Sequence, residues 1–498
     1  MILYVMTQQD MRIPLFKIHK LKHYSCLSMA VILAAVLALP SGAEDADGSA
    51  TAAVELGERI FNDDRFSHPD GDLRTSCASC HKTADPAGAR SFTEQLAHSW
   101  HPWRNPDPGR DTLRNTPALL DVAEMPLLHM DGEFSSLQEQ AHETLVGRNL
   151  GWLPDERPRA LARIKDIIFD ANDDENYHNA VKRVYAIDLE SVADEERVAW
   201  LAKALTAFMH TMKSKRDSPY DDFLRLNKLD PDPLGNESSS DYADRLIAEL
   251  EVRMANDTLQ TTPEFPDVAL AGARIFLRTE GETQVGNCVA CHTPPLFTDF
   301  AFHNTGVTQE DYDTVHGQHA FATLDIPSYD EVERPAKQWS TIVHRRKPGF
   351  ADLGRWNMAE PDNRHFRVPG ESDADYMTRA IAAFKTPTLR QLGHTDPFMH
   401  NGGYATVEQA LAQKLRASEF ARADALRNGD PEMARIRLTE QDIPLLAAFL
   451  KSLTTVGARN KYPSYLQPKG DSYTGPRYGV QYPEEVTPNV RRRYNDPE

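Results

Sequence analysis

The feature that most limits what this chain can become is a five-residue word used twice: Cys77-Ala-Ser-Cys80-His81 and Cys288-Val-Ala-Cys291-His292. Cys-x-x-Cys-His is the attachment signature of c-type haem. Its two thiols form thioethers to the porphyrin vinyl groups, and the adjacent histidine becomes the proximal iron ligand. A single Cys-x-x-Cys could equally be a redox pair or half of a zinc site. Two copies, both followed by histidine, argue against chance. Zinc would need four ligands from two distant pairs and gives the histidines no special place. The spacing therefore predicts two covalently bound haem c groups, held by Cys77, Cys80, Cys288 and Cys291, with His81 and His292 on the irons.

Those motifs consume four of the five cysteines and leave only Cys26, so no disulfide framework is available. A chain of 498 residues is long enough for two or three domains with full cores. The formal charge of −19 argues against nucleic acid as a partner and favours a basic redox partner.

Residues 1–43 read as a secretory signal. Arg12, Lys17, Lys20 and Lys22 form a basic start, Leu27 to Leu39 is a thirteen-residue apolar run, and Ser41-Gly42-Ala43 is a small-residue cleavage site. The run is short for a bilayer span, although an uncleaved anchor is the competing reading. Cys26 precedes the run, which is the wrong side for a lipoprotein cysteine. Cleavage would remove four basic residues and one acidic, taking the formal charge from −19 to −22. Export, and hence a periplasmic location, suits c-type haem attachment.

The mature chain is one module written twice. Gly57-Glu-Arg59-Ile60-Phe61 ends an amphipathic helix before the first haem motif, and Gly272-Ala-Arg274-Ile275-Phe276 does so before the second. Thr116-Pro117-Ala-Leu119 is answered by Thr386-Pro387-Thr-Leu389. Pro126 to Leu137, containing His129-Met130-Asp131-Gly132, is answered by Pro397 to Val407, containing His400-Asn401-Gly402. An ordered match of this kind means a duplicated domain. Asp131-Gly132 and Asn401-Gly402 are turn dipeptides. Ser136 and Thr406 are placed as helix N-caps, with Glu139 completing Ser-x-x-Glu in the first copy. The predicted plan is a first haem domain over 44–255 with a helical extension, then a second over 256–458 carrying a polar insertion at roughly 309–375. A last helix from Asp442 to Leu453 closes the second core, and 459–498 form an extended tail. Surface loops are expected at Asp230 to Pro233 and Asn236 to Ser240. Period-two runs are few, so the fold class is mainly α.

Taken in this order, over about 50–455, the motifs resemble the bacterial di-haem cytochrome c peroxidases and their relative MauG. The resemblance implies two c-type cytochrome domains packed face to face. The C-terminal haem would receive electrons and the N-terminal haem would meet hydrogen peroxide. The electrons would come from a small cytochrome c or cupredoxin, or, as in MauG, from residues of a protein substrate. It also implies a second histidine on the N-terminal haem within a His-x-Trp segment, matched by His98-Ser-Trp100, with His101 as a neighbouring competitor. His98 lies seventeen residues past His81, enough chain to loop over the other haem face. With both faces filled, peroxide could bind only after His98 leaves, a population-shift gate. A calcium ion between the domains is implied at Asn115, Thr395 and Pro397, whose oxygens are the kind calcium prefers; a simple turn network is the blander account.

The chain also departs from the family. The methionine ligand of the C-terminal haem, a tyrosine in MauG, is expected fourteen residues after His400, and Lys414 stands there. Lysine ligates iron only when deprotonated, which needs a desolvated site or the iron itself. A solvated helix lysine, with Met399, Met433 or His394 as ligand, or an open site, remains the alternative. Losing methionine would make this haem a poorer receiver of electrons. The tryptophan expected between the haems is Met130, with Trp152 or Trp100 as substitutes. The glutamate expected about twenty residues later, as acid–base in O–O cleavage, falls on Leu150. Gln140 matches a pocket glutamine, and Glu143, His142 or His129 would have to move the proton. The expected function is a periplasmic di-haem oxidoreductase that reduces hydrogen peroxide to water. MauG-like oxidation of a partner protein and a non-catalytic electron-transfer cytochrome are the alternatives. The oligomeric state is open, a homodimer being one option.

Overall fold

The computed structural model describes residues 45–69, 74–81, 114–173, 175–341, 343, 348–360, 367–395 and 397–455. The expected signal segment with Cys26, the His98–Trp100–His101 stretch and the residues from 459 lie outside them.

Helices dominate, in the order α1 (Asp45–Asn62), α2 (Leu137–Leu145), α3 (Arg157–Ile168), α4 (Tyr177–Tyr185), α5 (Asp194–Met209), α6 (Pro219–Leu226), α7 (Ser239–Ala255), α8 (Asp267–Leu277), α9 (Val307–His316), α10 (Asp373–Arg379), α11 (Val407–Arg422) and α12 (Ile443–Lys451). Among the described residues the one sheet is a two-stranded antiparallel ladder of β1 (Phe302–His303) and β2 (Phe384–Lys385). The mainly α expectation agrees with this. No described helix is long and apolar enough to cross a membrane.

α5 shows why these stretches are helical. Asp194, Glu195 and Glu196 put negative charge on its first turn, while Val198, Leu201, Ala202, Leu205 and Phe208 are buried along its length. Acidic side chains there complement the helix dipole, and the apolar spacing gives a core-facing stripe. The serine run expected as a loop over Asn236 to Ser240 ends sooner. Ser238 caps α7 with Asp241 in a capping box, so Ser239 is already helical.

The duplication is visible as backbone. In each copy a glycine lies where a helix crosses another with no room for a side chain. A Cβ on Gly57 in α1 would sit 2.0 Å from the Ala204 carbonyl oxygen in α5, and one on Gly272 in α8 would sit 2.0 Å from that of Leu445 in α12. Each copy also has the same short turn, closed by a bridge between Leu128 and Phe134 or between Phe398 and Tyr404. Left-handed residues fall at matching places: His129 and Met399 at φ 62° and 68°, then Gly132 and Gly402 at 76° and 60°. The turns therefore align His129 with Met399 and Met130 with His400, so the two histidines are one place apart. Ser136 and Thr406 both accept the expected N-cap bond, from the Glu139 and Gln409 amides.

The polar insertion is more than a surface excursion. Tyr312, Phe321, Trp339, Leu353, Trp356 and Tyr376 are buried together in a core of their own. The second module has a separate core, in which α8 packs on α12 and Phe276, Phe297 and Phe449 meet.

Candidate haem sites

His81 follows a single helical turn over Cys77–Cys80 and its amide donates to the Cys77 carbonyl at 2.8 Å; the His292 amide donates to Cys288 at the same distance. The two motifs thus close with the same bond, the first over an α-turn and the second over a 3-10 turn, and all four thiols are free of disulfides. Burial pushes both Cys77 and Cys288 up to about 12, keeping these sulfurs as neutral thiols.

Cys77, Cys80 and His81 line an open cleft with about 1320 Å³ of empty space, part of it shared with solvent. Leu128, Leu137, Leu145, Leu150, Leu205 and Met209 give it apolar walls, and Arg114, Arg148 and Lys385 add cations. Apolar walls suit a porphyrin face and cations suit its propionates. The residues fit a haem. Lys385 comes from β2 of the second module; its Nζ donates to the Leu127 carbonyl at 2.9 Å, and burial lowers it to about 8.

At the second motif, His292 Nδ1 lies 2.9 Å from the Phe297 carbonyl. That acceptor puts the ring proton on Nδ1 and leaves the Nε2 lone pair for a metal. Burial lowers His292 to about 4, the neutral form a ligand needs. Beside it, His303 on β1 is held between two carboxylates, Nδ1 at 2.6 Å from Asp430 and Nε2 at 2.8 Å from Asp299. Burial would lower His303, but those two bonds outweigh it and push it up to about 12. Lys414 is also here: burial lowers it to about 8 in the vicinity of Cys288 and Cys291, and its Nζ donates to Thr305 Oγ1 at 2.7 Å.

The junction of the modules is held by buried charges and a ring stack. Arg114 makes a two-pronged bond to Asp352 at 2.7 and 2.8 Å and a third to Asp131 at 2.5 Å. Arg355 donates to the carbonyls of Asp131 and Gly132, both at 3.1 Å. His400 stacks on Phe384, centroids 3.5 Å apart and planes within 7°. The insertion, through Asp352 and Arg355, is what grips the first module's turn.

The chain is similar in sequence to known di-haem proteins. A family model described as di-haem cytochrome c peroxidase matches residues 51–228, which include the first haem motif. The cytochrome-c peroxidase IdrP2 of Denitromonas iodatirespirans is 24% identical over 361 residues, 72% of this chain and 72% of that one. The methylamine utilization protein MauG of Paracoccus denitrificans is 24% identical over 476 residues, 86% of this chain and 95% of that one. Among solved structures, the diheme peroxidase BthA from Burkholderia thailandensis is 21% identical, with a TM-score of 0.47, covering 84% of this chain and 90% of that one. Across most of its length the chain is thus similar to di-haem cytochrome c peroxidase-like oxidoreductases. That similarity to a di-haem family implies two haem c cofactors.

Within this di-haem oxidoreductase the acid–base candidates separate. Gln140 and His129 line the first cleft, as does Leu150 at the place of the expected glutamate. Glu143 and His142 are not among its lining residues. Glu143 is paired with Arg157 at 2.8 and 3.0 Å and with His142 at 3.0 Å, and His142 also faces Glu195. Burial acts to raise Glu143, but His142 and Arg157 hold it down at about 2. Glu143 is thus held by Arg157 and His142 and does not line the cleft that contains His129 and Gln140. Trp152 is likewise committed: it is fully buried, its Nε1 donates to the Phe66 carbonyl at 3.1 Å, and its ring meets His68.

Of the three calcium candidates, Asn115 Nδ2 donates to the Pro397 carbonyl at 2.5 Å, and the Asn115 amide donates to His400 at 2.7 Å. Thr395 lies two residues before Pro397. A rotated Asn115 amide would offer oxygen beside that carbonyl, so the donors fit calcium, although here they satisfy one another. Of the alternative second-haem ligands, Met433 is buried with Ala417 and Ile436, and Met399 is on the turn. Sequence reading missed Glu133, Lys385 and the Asp299–His303–Asp430 group. The only signal for the last was the dense Thr298-Asp299-Phe-Ala-Phe-His303 stretch after the second motif.

Proposed function

We propose that the protein reduces hydrogen peroxide to water at the first haem, in the periplasm, with electrons delivered through the second haem by a small cytochrome c or cupredoxin. The observation that carries this reading is the first cleft. It joins the Cys77-Cys80-His81 attachment site to polar side chains, Gln140 and His129, inside otherwise apolar walls. When bound, the haem supplies a redox-active iron able to take peroxide and accept its oxygen. The chain's own part is to exclude bulk water with its leucines, to offer the Gln140 amide to a peroxide oxygen, and to move a proton. His98 is proposed as the displaceable second ligand of the first haem, and Lys414 as the second ligand of the other. Desolvation supports the latter by favouring the neutral amine. A calcium ion at Asn115, Thr395 and Pro397 is proposed to stiffen the junction of the modules.

A second reading is oxidative modification of a partner protein, as the name MauG would suggest. It is favoured by Lys414, which, like MauG's tyrosine, replaces the methionine expected in a peroxidase.

The test is an optical and EPR titration of the haem-loaded protein from oxidised to one-electron reduced, with peroxide added at each stage. A high-spin haem that arises on half-reduction and then reacts with peroxide supports the gated peroxidase. Immediate reaction of the oxidised form supports the MauG-like reading. Two low-spin haems inert at every stage would leave an electron carrier.

A further inference from the structure

The first cleft contains a histidine held in the way a general base is held. His129 occupies the left-handed place of the first turn, where the second turn has Met399. Its ring meets the Phe134 edge at 5.1 Å and 87°. Its Nδ1 lies 3.0 Å from Glu133 Oε2, and its Nε2 lies 3.3 Å from Gln140 Nε2. An amide nitrogen only donates, so His129 Nε2 must be the acceptor. The ring proton then sits on Nδ1, shared with the Glu133 carboxylate. Arg148 lies 3.5 Å from the same Glu133 oxygen. His129, Gln140 and Arg148 line the cleft that contains Cys77, Cys80 and His81, while Glu133 is not among its lining residues.

We propose that Glu133 and His129 form the acid–base dyad of the first cleft, His129 as the catalytic residue and Glu133 as its positioning residue. This rests on the peroxidase reading. With haem bound, His129 Nε2 would take one proton from hydrogen peroxide and return it to the oxygen that leaves as water when the O–O bond breaks. Over the cycle, hydrogen peroxide, two solvent protons and two electrons from the reduced donor protein give two waters. Glu133 fixes the tautomer and stabilises the imidazolium while it carries the proton. Burial keeps His129 at about 3, the base form at neutral pH; Asp131 opposes this, while Arg148, Lys385 and Arg114 reinforce it. The Leu150 wall supplies no competing acid.

The experiment uses the full haem-loaded chain and three proteins: wild type, His129→Gly and Glu133→Gln. Glycine suits the φ of 62° at position 129, and the c-haem spectrum reports correct assembly. Peroxide turnover is measured with reduced cytochrome c, with and without added imidazole. Cyanide association with the oxidised protein is measured beside it, because hydrogen cyanide must give up a proton to bind. His129→Gly should lose about 100-fold or more in turnover and regain part of it with imidazole, with the pH dependence of the free base. Glu133→Gln should lose about 10-fold and shift the pH profile, and both variants should bind cyanide more slowly. Wild-type turnover matched by His129→Gly within about 3-fold, without an imidazole response, would overturn the dyad, since proton transfer is worth far more. If wild type does not reduce peroxide, the peroxidase reading fails. Cyanide then decides alone: slowed association supports His129 as proton acceptor, and unchanged association overturns it.

Discussion

The two short turns, Leu128 to Phe134 and Phe398 to Tyr404, are the same piece of backbone with different chemistry. Each is closed by one bridge and bent by one left-handed residue before its left-handed glycine. In the first, the bend is His129, backed by Glu133 and open to a cleft; in the second it is Met399, followed by His400 packed flat on Phe384. At the next place Asp131 is gripped by Arg114, whereas Asn401 donates its amide to Asp311. Duplication preserved the geometry, and substitution at single positions divided the labour. One turn lines the cleft where we propose proton transfer, and the other is packed tight at the junction.

The largest expected effect comes from the charged side of that contrast. Arg114→Ala strands Asp131 and Asp352 in a buried junction and should cost about 3–5 kcal/mol, read as a fall in the denaturation midpoint of the haem-loaded protein. Making the first turn like the second is the next test. His129→Met should lower peroxide turnover by about 100-fold or more while the haem spectrum is kept; full activity would show that the two turns do not differ in function. The helix crossings should be equally intolerant in both copies. Gly57→Ala and Gly272→Ala each drive a methyl into a carbonyl oxygen and should each cost about 1–3 kcal/mol, measurable in chemical denaturation.

A subtler difference is the His303 pair at the second site. Its pKa is raised from 6.5 to about 12, so its stabilising effect is complete below 6.5 and is lost as pH rises toward 12. Asp299 and Asp430, both lowered from 3.8 because His303 outweighs the effect of burial, act in the opposite sense and lose their contribution as pH falls through the acid range. His303→Gln should therefore flatten the decline of melting temperature between pH 7 and 11. Smallest of all, Glu143→Gln removes a half-exposed pair with Arg157 and should change stability by less than about 1 kcal/mol, with peroxide turnover unaltered.

Some of this was legible without a structure. The Cys-x-x-Cys-His words announce haem because covalent attachment needs two thiols and a histidine within one turn of chain. The Ser136 and Thr406 caps and the Asp131-Gly132 and Asn401-Gly402 turns were visible because each is set by residues within a few positions, and Gly57 and Gly272 showed only as matching places in the repeat. The helical class followed from the same short-range spacing. Counting along the chain also brought Leu150 and Gln140 to the correct cleft and Lys414 to the second haem motif. It could not rank Glu143 against His129, because both lie within reach on either side of α2. Arg157, from α3, pairs with Glu143 away from the cleft, while His129, at the left-handed bend, lines it.

What the tertiary structure alone decided is how the insertion and the second module complete the first. Arg114 and Asp352 are 238 residues apart, and Lys385 reaches the Leu127 carbonyl across 258. Local spacing contains no record of such pairings. They arise when packed segments far apart in the chain are brought together and every buried charge left at the seam must find an opposite charge or a carbonyl. The sequence by itself determined two haem modules of one design. Burial at their junction decided which side chains face each haem.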